Sequence, residues 1–238
     1  MGKKNEQVYE DAPMTLRRHR FYDLQLDEYQ KAFRDAIWDE NKRIVFCNAR
    51  AGTGKTLIAT ATANLLCHFG KYKGIVYIAS PTQEQKQGYL KGTLEEKSEP
   101  YFEPFYEALK KLGIDTDVSF MDGALNEKNG TAYIECVTHT FLRGTNFENK
   151  VVIIDEAQNF YFDELMKVLT RMHDSCKVIV IGHDGQIDLY SNPDHTGFTR
   201  YLHWFEDDER TAVCHLEKNY RGWISQHADA LQFKASIR

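Results

Sequence analysis

At 238 residues, 42% of them hydrophobic and 27% charged, the chain has the size and make-up of one large globular domain that can bury a core without disulfide or metal staples. Its formal net charge of −5 excludes a global basic field, so nucleic acid would have to be met by a local groove. Five widely spaced cysteines, Cys47, Cys67, Cys136, Cys176 and Cys214, with no C-x-x-C among them, argue against a disulfide framework or a zinc ribbon and for reduced thiols in a cytoplasmic protein.

Residues 1–23 are polar and irregular, and are expected to form a flexible N-terminal arm ahead of a single domain over 24–238. The arm carries Arg17-Arg18-His19-Arg20 beside Phe21 and Tyr22, either a solvated charge cluster or a contact for a nucleic-acid backbone or a neighbouring subunit. Asp27 to Glu40 has Tyr29, Phe33, Ala36 and Ile37 at helical spacing. The apolar run Arg43 to Cys47 predicts a strand, and Leu57 to Phe69 a helix that stops at Gly70. Gly74 to Ser80 reads as a buried strand closed by Pro81, Thr82 to Tyr89 as helix, and Gly92 to Lys97 as a charged loop. Tyr101 to Leu112 resumes helical spacing, and its aromatic stripe suits a core better than a base-stacking platform. Val118 to Met121 and Ala132 to Val137 look like strands around a turn at Asn126 to Gly130, with a small insertion in the main sheet expected between them. Val151 to Ile154 is a strand, Asp163 is expected to cap a helix reaching Met172, and Lys177 to Ile181 is a further buried strand. Thr196 to Phe205 reads as helix, Thr211 to Leu216 as the last strand, and Trp223 opens a terminal helix. This alternation predicts a doubly wound, mainly parallel α/β sheet flanked by helices. No apolar run approaches the roughly 18 residues of a membrane span, and no signal-peptide core is present.

The chemistry concentrates where the first strand ends. Ala51-Gly52-Thr53-Gly54-Lys55-Thr56-Leu57 lies between a strand and a helix, the layout of a phosphate-binding P-loop. Its glycines let backbone N–H groups curl around phosphate oxygens, Lys55 would reach the β- and γ-phosphates, and the Thr56 hydroxyl would hold Mg²⁺. The pattern asks for glycine at 49, where this chain has Ala49. About a hundred residues later, Val151-Val152-Ile153-Ile154 ends in Asp155-Glu156, a Walker-B-type strand end. Asp155 would hold Mg²⁺, directly or through water, and Glu156 would polarise the attacking water. Gln186 follows the Lys177 strand and would sit near the γ-phosphate if that strand lies beside the Asp155 strand. Gln30 offers an amide suited to the adenine edge, which both accepts and donates. His183 has no second ligand at metal spacing.

Several motifs then line up in one order. Gly88 to Gly92, Glu96 to Tyr101, Asp155-Glu156-Ala157-Gln158-Asn159, Leu169-Thr170-Arg171 and Gln186-Ile187-Asp188-Leu189 join the P-loop in a set that resembles the PhoH family of P-loop ATPases, related to superfamily-one helicase cores. The likeness runs from about Leu24 to Ala230. It implies a P-loop, RecA-like fold, ATP as substrate with Mg²⁺, and Asp155, Glu156, Gln186 and Gln30 in the roles already given. It further implies that Leu216 to Arg221 is similar to the helicase segment whose arginine, here Arg221, reaches the γ-phosphate. Arg143-Gly144-Thr145 is similar to the family's segment before Walker B. Ala49, Ser80-Pro81 and His183 depart from the family pattern.

The expected function is Mg²⁺-dependent ATP hydrolysis coupled to RNA or single-stranded DNA, in a homo-oligomer such as a hexameric ring with helicase-like motor activity. One core per chain calls for an arginine finger, in trans from Arg143, Arg171 or Arg200, or in cis from Arg221. The alternative is a nucleotide-gated interaction module with slow hydrolysis. A small-molecule kinase would need an acceptor pocket and an arginine-bearing lid, and the sequence marks neither.

Overall fold

A computed structural model describes residues 12–17, 19–81, 98–120, 131–142, 144–185 and 196–235. Six strands form one sheet: β1 (Ile44–Ala49), β2 (Ile75–Ala79), β3 (Ile134–Thr138), β4 (Val151–Ile154), β5 (Lys177–Gly182) and β6 (Thr211–Leu216). All neighbours pair in parallel, in the order β3-β2-β4-β5-β1-β6. The chain thus starts at β1, crosses two strands to reach β2, works back through β4 and β5, and ends beyond β1 at β6. β5 stands between β1 and β4, so the ends of the P-loop strand and the Asp155 strand are one strand apart.

Strand side chains alternate between two cores, which is why β1, β4 and β5 read as unbroken apolar runs. Val45, Cys47, Val151 and Ile153 face a core shared with helices α1 (Glu28–Trp38), α2 (Lys55–His68) and α3 (Glu103–Lys111). Ile44, Phe46, Val152 and Ile154 face the other core, with Leu165 and Val168 of α5 (Phe162–Leu169) and Phe198 and Leu202 of α6 (Gly197–Phe205). The sheet is doubly wound, as expected.

The aromatic stripe belongs to the core: Phe105 is fully buried and stacks on Tyr77 at 4.5 Å. Part of the expected arm is packed, since Leu16 and Phe21 are buried in the first core and Trp38 Nε1 donates to the Pro13 carbonyl at 3.0 Å. Some local expectations change. Thr116–Ser119 is a short helix, α4, and not a strand: Asp115 accepts the Asp117 N–H at 2.9 Å and caps it, and Phe120 makes only an isolated bridge to Ile134. β3 pairs along its length with β2 as the edge of the main sheet, and the insertion expected ahead of it falls mostly outside the described residues. The cap of α5 is Tyr161, whose N–H donates to Glu164 at 2.9 Å. Asp163 sits inside the first turn and pairs with Lys167 at 2.9 Å, and the helix ends at Leu169. α2 begins at Lys55, two residues before the expected start. The helix expected over 82–89, the loop over 92–97 and the turn over 126–130 lie outside the described residues. The terminal helix α7 is Trp223–Ala235.

Candidate functional site

The loop after β1 turns on two left-handed residues, Gly52 at φ 80° and Gly54 at φ 83°. A side chain at Gly52 would also put its Cβ 2.6 Å from Asn219 Oδ1. Glycine is therefore required at 52 by backbone and by space. Ala49 has no such constraint. It is the last residue of β1, paired with Leu216, and its methyl is buried in the first core, which explains why alanine serves there. Gly54 is the N-cap of α2 and offers no side-chain cap, leaving the helix's first N–H groups for an anion.

Lys55 opens α2 and is buried, its Nζ 3.5 Å from Glu156 Oε1. Thr56 Oγ1 donates to Asp155 Oδ2 at 2.7 Å across 99 positions of sequence. Tyr77 from β2 donates its hydroxyl to the same oxygen at 2.9 Å, and the Glu156 N–H donates to Oδ1 at 2.9 Å. Burial pushes the Asp155 carboxyl up, helped by the charge of Glu156 and opposed by Lys55 and the Thr56 hydroxyl. Burial and the Asp155 charge hold the Tyr77 phenol well above its usual range, so it stays a donor. Glu156 occupies a left-handed conformation, φ 48° and ψ 43°, uncommon for a residue with a side chain. Gln158 Nε2 donates to its Oε2 at 2.6 Å, and Gln158 Oε1 accepts the His183 N–H at 3.1 Å.

On the other flank of the loop, Gln30 is buried, donates through Nε2 to the Thr53 carbonyl at 2.9 Å and accepts the Asp27 N–H at 3.2 Å. The Tyr220 hydroxyl approaches the accepting Oε1 at 3.5 Å, so the spare capacity of this amide is the second N–H of Nε2. The strap from Glu217 to Gly222, between β6 and α7, lies over the loop. The Tyr220 N–H donates to the Gly52 carbonyl at 2.8 Å and its hydroxyl to Asp27 at 2.8 Å. Arg221 Cγ would lie 3.0 Å from a Cβ at Gly52. Lys55, Thr56, Asp155 and Glu156 thus meet at one end of the sheet, with Gln30 and Arg221 beside the loop. Gln186 and Arg143 lie outside the described residues. Arg171 donates to the Thr145 carbonyl at 3.1 Å, and Arg200 lies over the Phe162 ring at 4.1 Å. Among the described residues no cluster of three or more His, Cys, Asp and Glu is arranged to hold a metal ion.

The family model described as PhoH-like protein matches residues 25–227. The chain belongs to the PhoH-like family. It is 35% identical over 197 residues to Protein PhoH of Escherichia coli K12, covering 82% of this chain and 53% of that protein. It is 37% identical over 165 residues to the PhoH-like protein of Mycobacterium tuberculosis H37Rv, covering 67% of this chain and 43% of the relative. The chain spans about half the length of these curated relatives. Among solved structures it aligns with the Hef helicase domain of Pyrococcus furiosus at TM-score 0.46 and 15% identity, over 80% of this chain and 39% of that one. No described helix is long and apolar enough to cross a membrane.

In this PhoH-like chain the sequence reading missed five site neighbours: Asp27, Tyr77, Gln158, Asn219 and Tyr220. Asp27 had a local signal, since Asp-x-x-Gln ahead of an apolar periodic run is a capping box and the box is formed. Gln158 reaches Glu156 from two positions along the chain and the His183 N–H from across the fold, whereas Tyr77, Asn219 and Tyr220 act through tertiary contacts.

Proposed function

We propose that this chain binds ATP with Mg²⁺ and hydrolyses it, with turnover coupled to RNA or single-stranded DNA in a homo-oligomer. The observation that carries the reading is the Thr56–Asp155 contact of 2.7 Å, with Lys55 and Glu156 beside it. A hydroxyl and a carboxylate sharing one polar corner are the hard oxygen donors that suit Mg²⁺, and these two residues would hold it. The ion supplies charge neutralisation on the phosphate oxygens. Lys55 and the open N–H groups of α2 bind phosphate, Gln30 meets the adenine edge through its spare N–H donor, and Glu156 orients and polarises water. Gln186 in the role of γ-phosphate reader and Arg221 as a cis arginine belong to the same reading. A cytoplasmic setting is proposed with it, in keeping with five free thiols.

A second reading, a nucleotide-gated interaction module with slow turnover, draws support from the engagement of both Glu156 oxygens, by Lys55 and by Gln158. Phosphate release measured with and without single-stranded RNA and DNA separates the two. Stimulation by nucleic acid supports the coupled ATPase; a slow rate unmoved by either polymer supports the module. Lys55→Ala is expected to abolish turnover and ATP binding together. Glu156→Gln is expected to keep binding and lose about 10²-fold or more in turnover, the scale of a lost general base. Near-normal rates in both variants would sink the assignment.

A further inference from the structure

We propose that Gln158 is a positioning residue that aims the Glu156 carboxylate and ties its aim to the loop after β5; this rests on the hydrolysis reading above. The Gln158 side chain is buried, and its amide spans two segments. Nε2 donates to Glu156 Oε2 at 2.6 Å, and Oε1 accepts the His183 backbone N–H at 3.1 Å. Only this orientation of the amide satisfies both partners, since a flipped amide would set NH₂ against N–H and oxygen against carboxylate. Glu156 needs such a hold. Its side chain is about half exposed, and its left-handed backbone fixes where the side chain starts but not where it points.

The two carboxylate oxygens have different fates when nucleotide arrives. Oε1 faces Lys55 at 3.5 Å, and an incoming phosphate competes for that ammonium. Oε2 stays with Gln158, whose bond involves no phosphate ligand. Glu156 would then rotate about a fixed Oε2 and present Oε1 to water. Because the far end of the same amide is bonded to the first residue after β5, displacement of that loop moves the carboxylate.

The test uses Gln158→Glu and Gln158→Leu, each in the wild-type and Glu156→Gln backgrounds, by steady-state and single-turnover ATPase. Gln158→Glu keeps the size and the acceptor for the His183 N–H while removing the donor to Glu156. It is expected to lower kcat by about 10²-fold, the scale of a misaimed reacting group. KM for ATP should stay within about twofold, the mark of an interaction made in the transition state. In the Glu156→Gln background neither change should cost a further factor, since residues acting as one unit are non-additive. Equal losses in both backgrounds, or an unchanged kcat in Gln158→Glu, overturn the positioning role while leaving hydrolysis intact. If Gln158→Leu does not fold, Gln158→Glu carries the same comparison. A wild-type protein with no turnover overturns the hydrolysis reading, and this inference with it.

Discussion

At the scale of single residues, the loop shows why a pattern position and a physical requirement differ. Glycine is demanded where φ is positive and where another chain segment lies within van der Waals distance, and both hold at Gly52. Neither holds at Ala49, where a strand residue fills core space with a methyl group. Gly52→Ala should cost about 1–2 kcal/mol for the left-handed backbone alone. In a domain of this size that is roughly 2–8 °C of melting temperature. The Asn219 side chain must also move, so ATP affinity should fall with stability. Ala49→Gly should leave ATP affinity in place and cost roughly 0.5–1 kcal/mol through backbone entropy. Thermal melts and nucleotide titration of the two variants check this. A Gly52→Ala protein that melts and binds like the wild type would contradict the strap contact.

At the scale of elements, the buried strands were legible because unbroken apolar runs report burial on both faces, as in Val151–Ile154 of β4 and 178–181 of β5. Helix α1 was legible through the helical spacing of Tyr29, Phe33, Ala36 and Ile37, and the caps Asp27 of α1 and Thr196 of α6 stand where the two helices were expected to start. Thr116–Ser119 was not, because the β-branched and aromatic residues of Val118 to Phe120 favour strand until Asp115 supplies a helix cap. Half of the site was legible for a related reason: Lys55, Thr56, Asp155 and Glu156 sit in short local motifs, whereas Tyr77, Asn219 and Tyr220 reach the site by tertiary placement. Lys177 is another placement effect, a charged residue opening β5 and only 1% exposed. Its ammonium donates to the Asp39 carbonyl at 2.6 Å and to the Lys42 carbonyl, tying the end of α1 to the sheet. Burial pulls its pKa from 10.5 down to about 8. The folded state therefore releases this proton first. Below about pH 8 both states hold it and the desolvation penalty is fully present; between there and 10.5 only the unfolded chain holds it, so this residue's contribution rises with pH. The shift is worth roughly 3 kcal/mol. Urea midpoints at pH 7.5 and 10 should move in favour of the wild type relative to Lys177→Met. A difference that stays flat across that range would contradict the buried-ammonium reading.

At the scale of the whole molecule, the question is whether one chain completes the site. Under the proposed function, light scattering is expected to find an oligomer with ATP present, with nucleotide turnover tied to assembly. Assembly alone does not say where the arginine comes from. Arg171 and Arg200 are engaged with the Thr145 carbonyl and the Phe162 ring. Arg221 instead follows Tyr220, whose N–H is bonded to Gly52 of the same chain, and it borders that chain's own phosphate loop. It is therefore expected to act in cis. Mixing decides this. Lys55→Ala and Arg221→Ala are each expected to be inactive as pure assemblies. If Arg221 serves its own loop, every subunit in a mixture carries one defect or the other, and mixing restores nothing. If Arg221 serves a neighbour, a subunit with an intact loop beside one with an intact arginine is whole again. Mixed assemblies, refolded or exchanged together, would then recover a substantial share of wild-type turnover. Recovery would move Arg221 to the subunit boundary and make the strap an intersubunit element. Its absence, with exchange verified by fluorescence, keeps the strap as this chain's own cover over the nucleotide.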